Sequence, residues 1–133
     1  IRKSYIDEEL DALAMRVGQE LIDRKQELVF SKGQEYIRIR LKEIVYIEAE
    51  GNYQIFYIGH EKIKIRETMM RMESTLCQKG FVRCHKGYLV NLEYLVKMRT
   101  MELELKYGSE HIVIPIGRSY EKDVRKRILA SLD

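Results

Sequence analysis

Cys84 and His85 are the one place in this sequence where a nucleophile and a base stand side by side. A thiol next to an imidazole can support covalent catalysis, provided the two side chains meet. In an extended chain, neighbouring side chains point to opposite faces, so a strand here keeps them apart. The carboxylates mostly alternate with apolar residues, as solvated strand charges do, and neither a P-loop nor a GxGxxG following a strand is present. Two cysteines without a CxxC, and three histidines, give no basis for a disulfide framework or a metal site. Neither an enzyme nor a cofactor is expected.

A different chemistry is available in the same stretch. Arg83, His85 and Lys86 fall within four positions, followed by Gly87 and then by the apolar anchors Tyr88, Leu89 and Val90. That arrangement suits a basic loop held rigidly at its base, which is what a recognition loop requires. Arg118 follows Pro115-Ile116-Gly117, where the last strand turns into the last helix. An exposed arginine there can reach a phosphate or a guanine edge, or simply stand in water.

These residues need a scaffold, and the periodicity supplies one. Ile6, Leu10, Leu13, Val17, Leu21 and Leu28 recur at helical spacings, predicting an amphipathic linker helix over residues 1–29. Its heptad fails at Glu20 and Arg24, so a long coiled coil is not expected. Beyond Gly33 the period becomes two. Ile37, Ile39 and Leu41 share one strand face, and Ile44–Ala49, Tyr53–Ile58 and Lys62–Arg66 form an antiparallel meander with turns at Gly51-Asn52 and Gly59-His60.

A short helix from Thr68 to Gln78 places Met69, Met72 and Leu76 on one face, and Lys79-Gly80 ends it. Phe81–Gly87 shows no clear period, and Tyr88–Leu92 is a compact apolar knot. Strands are expected again at Leu95–Arg99, Met101–Tyr107 and His111–Ile116, with Pro115 near a strand end or an edge. A final helix from Ser119 to about Leu132 buries Val124, Ile128 and Leu132, with Lys122, Arg125, Lys126 and Arg127 facing water. The expected class is mainly β.

Composition agrees without naming a partner. At 133 residues, with 45% apolar and 34% charged residues, the chain is a globular domain, not a disordered one. No run approaches the roughly 20 apolar residues of a membrane span, so no membrane contact and a cytoplasmic setting are expected. No signal peptide is expected, because Ile1 is followed at once by Arg2 and Lys3, and the absence of an initiator Met suggests a fragment of a longer protein. Residues 1–33 hold six Lys/Arg against seven Asp/Glu, and residues 34–133 hold eighteen against fourteen. The second segment therefore has a mild basic bias that permits nucleic-acid binding.

Three blocks together say more. Ile44-Val45-Tyr46-Ile47-Glu48-Ala49-Glu50-Gly51-Asn52-Tyr53, Phe81-Val82-Arg83-Cys84-His85-Lys86-Gly87-Tyr88-Leu89-Val90-Asn91 and Ile114-Pro115-Ile116-Gly117-Arg118-Ser119-Tyr120 resemble, in order and spacing, the LytTR domain. This is the output domain of LytR/AgrA-type bacterial response regulators, and the likeness runs from about Phe30 to Ile128. It implies an elongated arrangement of small antiparallel sheets, a DNA-binding domain over 30–133, and loops that enter successive major grooves.

Carried over by position, the base-reading loops fall at Asn52-Tyr53-Gln54, at His85-Lys86-Gly87 and at Arg118. Gln54 stands where some members have a basic or imidazole side chain, and Lys86 where others have Asn or Arg. Arg118 can donate two bonds to guanine, Gln54 can pair with adenine or accept from cytosine, and Lys86 can reach guanine or a phosphate. Arg83, His85, Lys64 and Arg66 are candidates for neutralising the DNA backbone. The resemblance further implies promoter direct repeats, self-association on DNA, and an upstream receiver or sensor domain. The rival reading is a protein-interaction or dimerisation module without DNA binding. RNA is a weaker choice, because no aromatic stacking platform is visible.

Overall fold

A computed structural model describes residues 26–131. Contacts divide the chain into two compact units, residues 1–41 and 42–133.

In the first unit, β1 (Glu27–Lys32) and β2 (Glu35–Arg40) form an antiparallel hairpin. Arg38 closes it with a forked contact to Glu27, Nε and Nη2 each donating to one carboxylate oxygen at 3.1 Å. This corrects the helical reading at its end, since Leu28 lies in β1 opposite Ile39. Leu28 is seven residues from Leu21, which fits a helix, but it also alternates with Phe30, which fits a strand. So short an overlap cannot be resolved by periodicity. The rest of the expected linker helix, Ile6 to Leu21, lies outside the described residues, as does Leu132.

The second unit contains two antiparallel sheets. The larger has the order β5-β4-β3-β7-β6, built from β3 (Ile44–Glu50), β4 (Tyr53–Ile58), β5 (Glu61–Arg66), β6 (Phe81–His85) and β7 (Tyr88–Asn91). The smaller has the order β10-β9-β8, built from β8 (Leu95–Met98), β9 (Glu102–Tyr107) and β10 (Glu110–Pro115). Pro115 ends an edge strand, the position where its missing N–H does no harm.

Central strand β3 is covered on both faces, as its dense apolar run predicts. Ile47 lies opposite Phe56 on one side and Leu89 on the other, and all three are fully buried. Helix α1 (Met69–Leu76) packs beside β6 and buries Met69, Met72 and Leu76. Thr68 caps it, accepting from the Arg71 N–H at 3.2 Å. On the opposite sheet face, Val82, Cys84 and Val90 join Leu103, Leu105, Ile114, Ile116 and Val124 in one core. That core takes in the smaller sheet and helix α2 (Glu121–Ala130). A 3-10 turn over Arg118–Tyr120 precedes α2, so the helix begins two residues later than expected. Arg127 is half-buried instead of solvated, donating to the Cys77 carbonyl.

The stretch without a clear period is the β6–β7 hairpin. Arg83 pairs with Leu89 and His85 with Tyr88, so Cys84 is the extra residue of a β-bulge. The bulge breaks the alternation that would have marked the strand, and bulges also re-aim the side chains that follow them.

Candidate nucleic-acid interface

The strand register of the larger sheet gathers most of the candidate residues at one end. Arg66, last in β5, pairs with Tyr53, first in β4. Glu50 closes onto Tyr53 around the Gly51-Asn52 turn. Next along, the Ala49 N–H donates to the Gly87 carbonyl at 2.9 Å, which seats the Lys86-Gly87 turn beside β3. Beyond β6, the Gly117 N–H donates to the Cys84 carbonyl at 2.8 Å, bringing Arg118 to the same end. With strands about 4.8 Å apart, a five-strand row spans roughly 19 Å, more than the ~12 Å width of a major groove.

Exposed side chains along this row include Asn52, Tyr53, Arg66, Lys86 and Arg118, together with the carboxylate of Glu50. Arg66, Lys86 and Arg118 form no ion pair with an acid among the described residues. Below them lies an open concavity of about 870 Å³, lined by Asn52, Gln54, Arg66, Arg71, Lys86 and Gly87 among others. Arg71 was not legible as a site residue, because nothing in the sequence distinguishes it from an ordinary solvated helix charge. It sits in the first turn of α1 with an ion pair to Glu67 at 3.5 Å. Lys64 is also present, but it is paired with Glu50 at 3.1 Å and stands 4.9 Å from the centre of the Tyr53 ring.

Two candidates do not face the row. Gln54 is only 2% exposed, on the Phe56 side of the sheet, and its Nε2 donates to the Glu67 carbonyl at 3.1 Å. Alternation in β4 puts it there, two residues before Phe56. Its Oε1 has no partner among the described residues. An amide held in this way braces the entry to α1 and does not present a bidentate edge. Arg83 is likewise turned inward. Nη1 meets Glu73 Oε1 at 3.1 Å, Nη2 donates to the Lys86 carbonyl at 2.8 Å, and the guanidinium lies 5.5 Å from the Tyr120 ring centre. Nη1 and Nη2 of Arg83 thus each have a partner within the protein, and Nε is buried, so the guanidinium is turned away from the exposed row.

His85 is half-buried, and its Nδ1 accepts from the Gly87 N–H at 3.0 Å. The neutral ring therefore carries its proton on Nε2, which stays available as a donor. This also settles the Cys84-His85 pair. At a bulge the alternation argument does not hold, but partners separate the two groups. The Cys84 Sγ is buried and donates to the Pro115 carbonyl at 3.6 Å. Burial pushes the Cys84 thiol up to about 12, so the thiolate is scarce near neutrality.

The backing of the row is a tyrosine cluster on the other sheet face. Glu48, in the middle of β3, accepts from Tyr57 at 2.9 Å and from Tyr88 at 2.8 Å. The Tyr46 ring stacks on Tyr57 with centroids 4.1 Å apart. The bond to Glu48, with burial adding to it, pushes the Tyr88 phenol up to about 12. Burial first, then Glu48, raises Tyr57 further. One carboxylate thus ties a strand of each hairpin to β3.

The model of the LytTr DNA-binding domain family matches residues 34–129. This chain belongs to that family. It is similar to the sensory transduction protein LytT of Bacillus subtilis strain 168, at 24% identity over 123 residues, covering 84% of this chain and 50% of LytT. LytT of Bacillus anthracis is 21% identical over 114 residues, covering 82% of this chain and 45% of that protein. The chain therefore spans about half the length of these relatives. A solved LytTr DNA-binding domain from Bacillus cereus shares the fold, with a TM-score of 0.62 at 17% identity, covering 76% of this chain and 94% of that one.

Proposed function

We propose that this domain reads duplex DNA sequence-specifically, with loops at one end of a β-sheet and no recognition helix. It would act as the output end of a response regulator that controls transcription. The observation that carries this reading is the row of exposed Asn52, Lys86 and Arg118 on three adjacent connections, flanked by Arg66. Arg118 is the base reader with the best chemistry, since a guanidinium can donate twice to guanine O6 and N7. Lys86 reaches a guanine or a phosphate, and Asn52 with Tyr53 meets the neighbouring bases. Arg66, Arg71 and Lys64 neutralise the backbone, and His85 donates from Nε2.

Gln54 and Arg83 leave the list of DNA contacts, because both are held within the protein. The remaining contacts on one monomer are few. Each base pair read contributes on the order of 1–3 kcal/mol of discrimination, so tight binding calls for two copies on direct repeats. The similarity to LytT, named as a sensory transduction protein, supports placing a signal-receiving region upstream.

The test is selection of binding sites from random duplexes, followed by titration of the selected duplex. The expected result is a repeated motif whose binding weakens steeply as salt rises. Recovery of no motif above background, with no salt-sensitive binding, sinks this reading and leaves a protein-interaction module as the better account.

A further inference from the structure

We propose that Arg83 is a positioning residue that locks the Lys86-Gly87 turn and the Arg118 connection into one reading surface, with Glu73 of α1 as its anchor. This rests on the DNA reading above and goes beyond it, because it assigns the specificity of the row to a side chain that touches no DNA.

Three observations converge on this guanidinium. Its Nη2 holds the Lys86 carbonyl at 2.8 Å, in the turn that presents the Lys86 side chain. Its Nη1 is anchored to Glu73 on α1 at 3.1 Å. Its plane lies near the ring of Tyr120, which ends the turn carrying Arg118. The same Tyr120 ring closes over Gly117, where an added Cβ would come within 3.0 Å of Cδ2 and 3.6 Å of the His85 Cα. One planar cation therefore bridges a helix, one reading loop and the wall of the next.

The Lys86-Gly87 turn needs such a brace. Neither of its residues has a positive φ, unlike the glycines that open the turns at Gly51, Gly59 and Gly108. Its geometry is fixed by partners: Arg83 on the Lys86 carbonyl, the His85 ring on the Gly87 N–H, and β3 on the Gly87 carbonyl. Lysine cannot replace the arginine, since a single ammonium cannot hold two acceptors at fixed angles and also lie flat near a ring.

The experiment compares the full chain with Arg83→Lys and Glu73→Gln. It measures thermal stability, amide exchange at Gly87 in the free protein, and binding to the selected duplex and to a scrambled duplex across salt concentrations. A positioning role predicts faster exchange at Gly87 and about a tenfold loss on the selected duplex. Binding to the scrambled duplex and the salt slope stay as in the parent. A slope shallower by about one unit in Arg83→Gln, which removes the charge and is measured alongside, with discrimination kept, makes Arg83 a phosphate contact and overturns the proposal. Unchanged exchange and unchanged specific affinity in both variants overturn it as well. Should Arg83→Lys fail to fold, Glu73→Gln alone decides, because it removes the anchor's charge and leaves Arg83 in place. A parent chain that does not distinguish the two duplexes counts against the DNA reading itself, while exchange at Gly87 still tests the brace.

Discussion

Two turns stand side by side at the reading end of the sheet and are built on opposite plans. Gly51-Asn52 holds its shape through the backbone: Gly51 sits at φ 59, and among the described residues nothing beyond its chain neighbours lies within 4 Å of where its Cβ would be. Lys86-Gly87 has ordinary backbone angles and is held by Arg83, His85 and the Ala49 N–H. The first turn needs a particular residue type at one position. The second needs a set of neighbours. Side-chain identity in the second can therefore change the aim of a loop without changing the fold, which is where specificity is most easily adjusted.

The contrast can be broken most severely at the carboxylate the two hairpins share. Glu48→Ala leaves the Tyr57 and Tyr88 hydroxyls without their acceptor. Hydrogen bonds to charged groups are worth about 1.5–3 kcal/mol each, so a loss of that order is expected in chemical denaturation. Tyr57→Phe and Tyr88→Phe should each show part of it. A loss confined to one of the two single variants shows that the hairpins are not braced together.

The next effect separates the turns directly. Gly51→Ala places a side chain in the left-handed region and should cost about 1–2 kcal/mol. Gly87→Ala meets, among the described residues, only the His85 ring, at 3.8 Å, and should stay within about 0.5 kcal/mol of the parent. Equal melting temperatures for the two variants contradict the proposed difference.

Alkaline stability gives a third, smaller test. Cys84 and Tyr88 are both raised to about 12 in the folded protein, so the fold favours their neutral forms. Raised folded values mean that this stability is complete below the unfolded values, near 9 for the thiol and 10 for the phenol. It is then lost as pH climbs toward 12. Denaturation midpoints should fall above pH 9, and Tyr88→Phe should fall less steeply than the parent between 10 and 12. The smallest effect is at the thiols. Under native conditions a thiol reagent should label half-buried Cys77 before buried Cys84, and fast labelling of Cys84 near neutrality would revive a catalytic reading of Cys84-His85.

Much of this architecture was legible in the sequence, because strands with one dry face alternate and short helices cap. The meander from Ile44 to Arg66, the Met69-Met72-Leu76 helix face and the edge position of Pro115 all follow from period and turn chemistry. What escaped has physical causes. The β6–β7 hairpin was hidden by the bulge at Cys84, and β1 by the overlap of helical and strand spacing at Leu28. Of the proposed site residues, Lys86 and Arg118 lie exposed at the expected end. Gln54 and Arg83 are polar residues on the buried-side register, two positions from Phe56 and from Phe81. Residue type favoured DNA for both; strand parity in β4 argued against Gln54, while at Arg83 the bulge hid the parity.

The central claim is that exposed side chains on separate loops read separate bases. Its most direct test is anisotropy with the selected duplex and its single-base variants, comparing the parent with Lys86→Ala and Arg118→Ala. The account predicts that each variant loses about 1–3 kcal/mol and relaxes preference at its own base position. If both bind every duplex as the parent does, the row at the end of the sheet is not the reading surface.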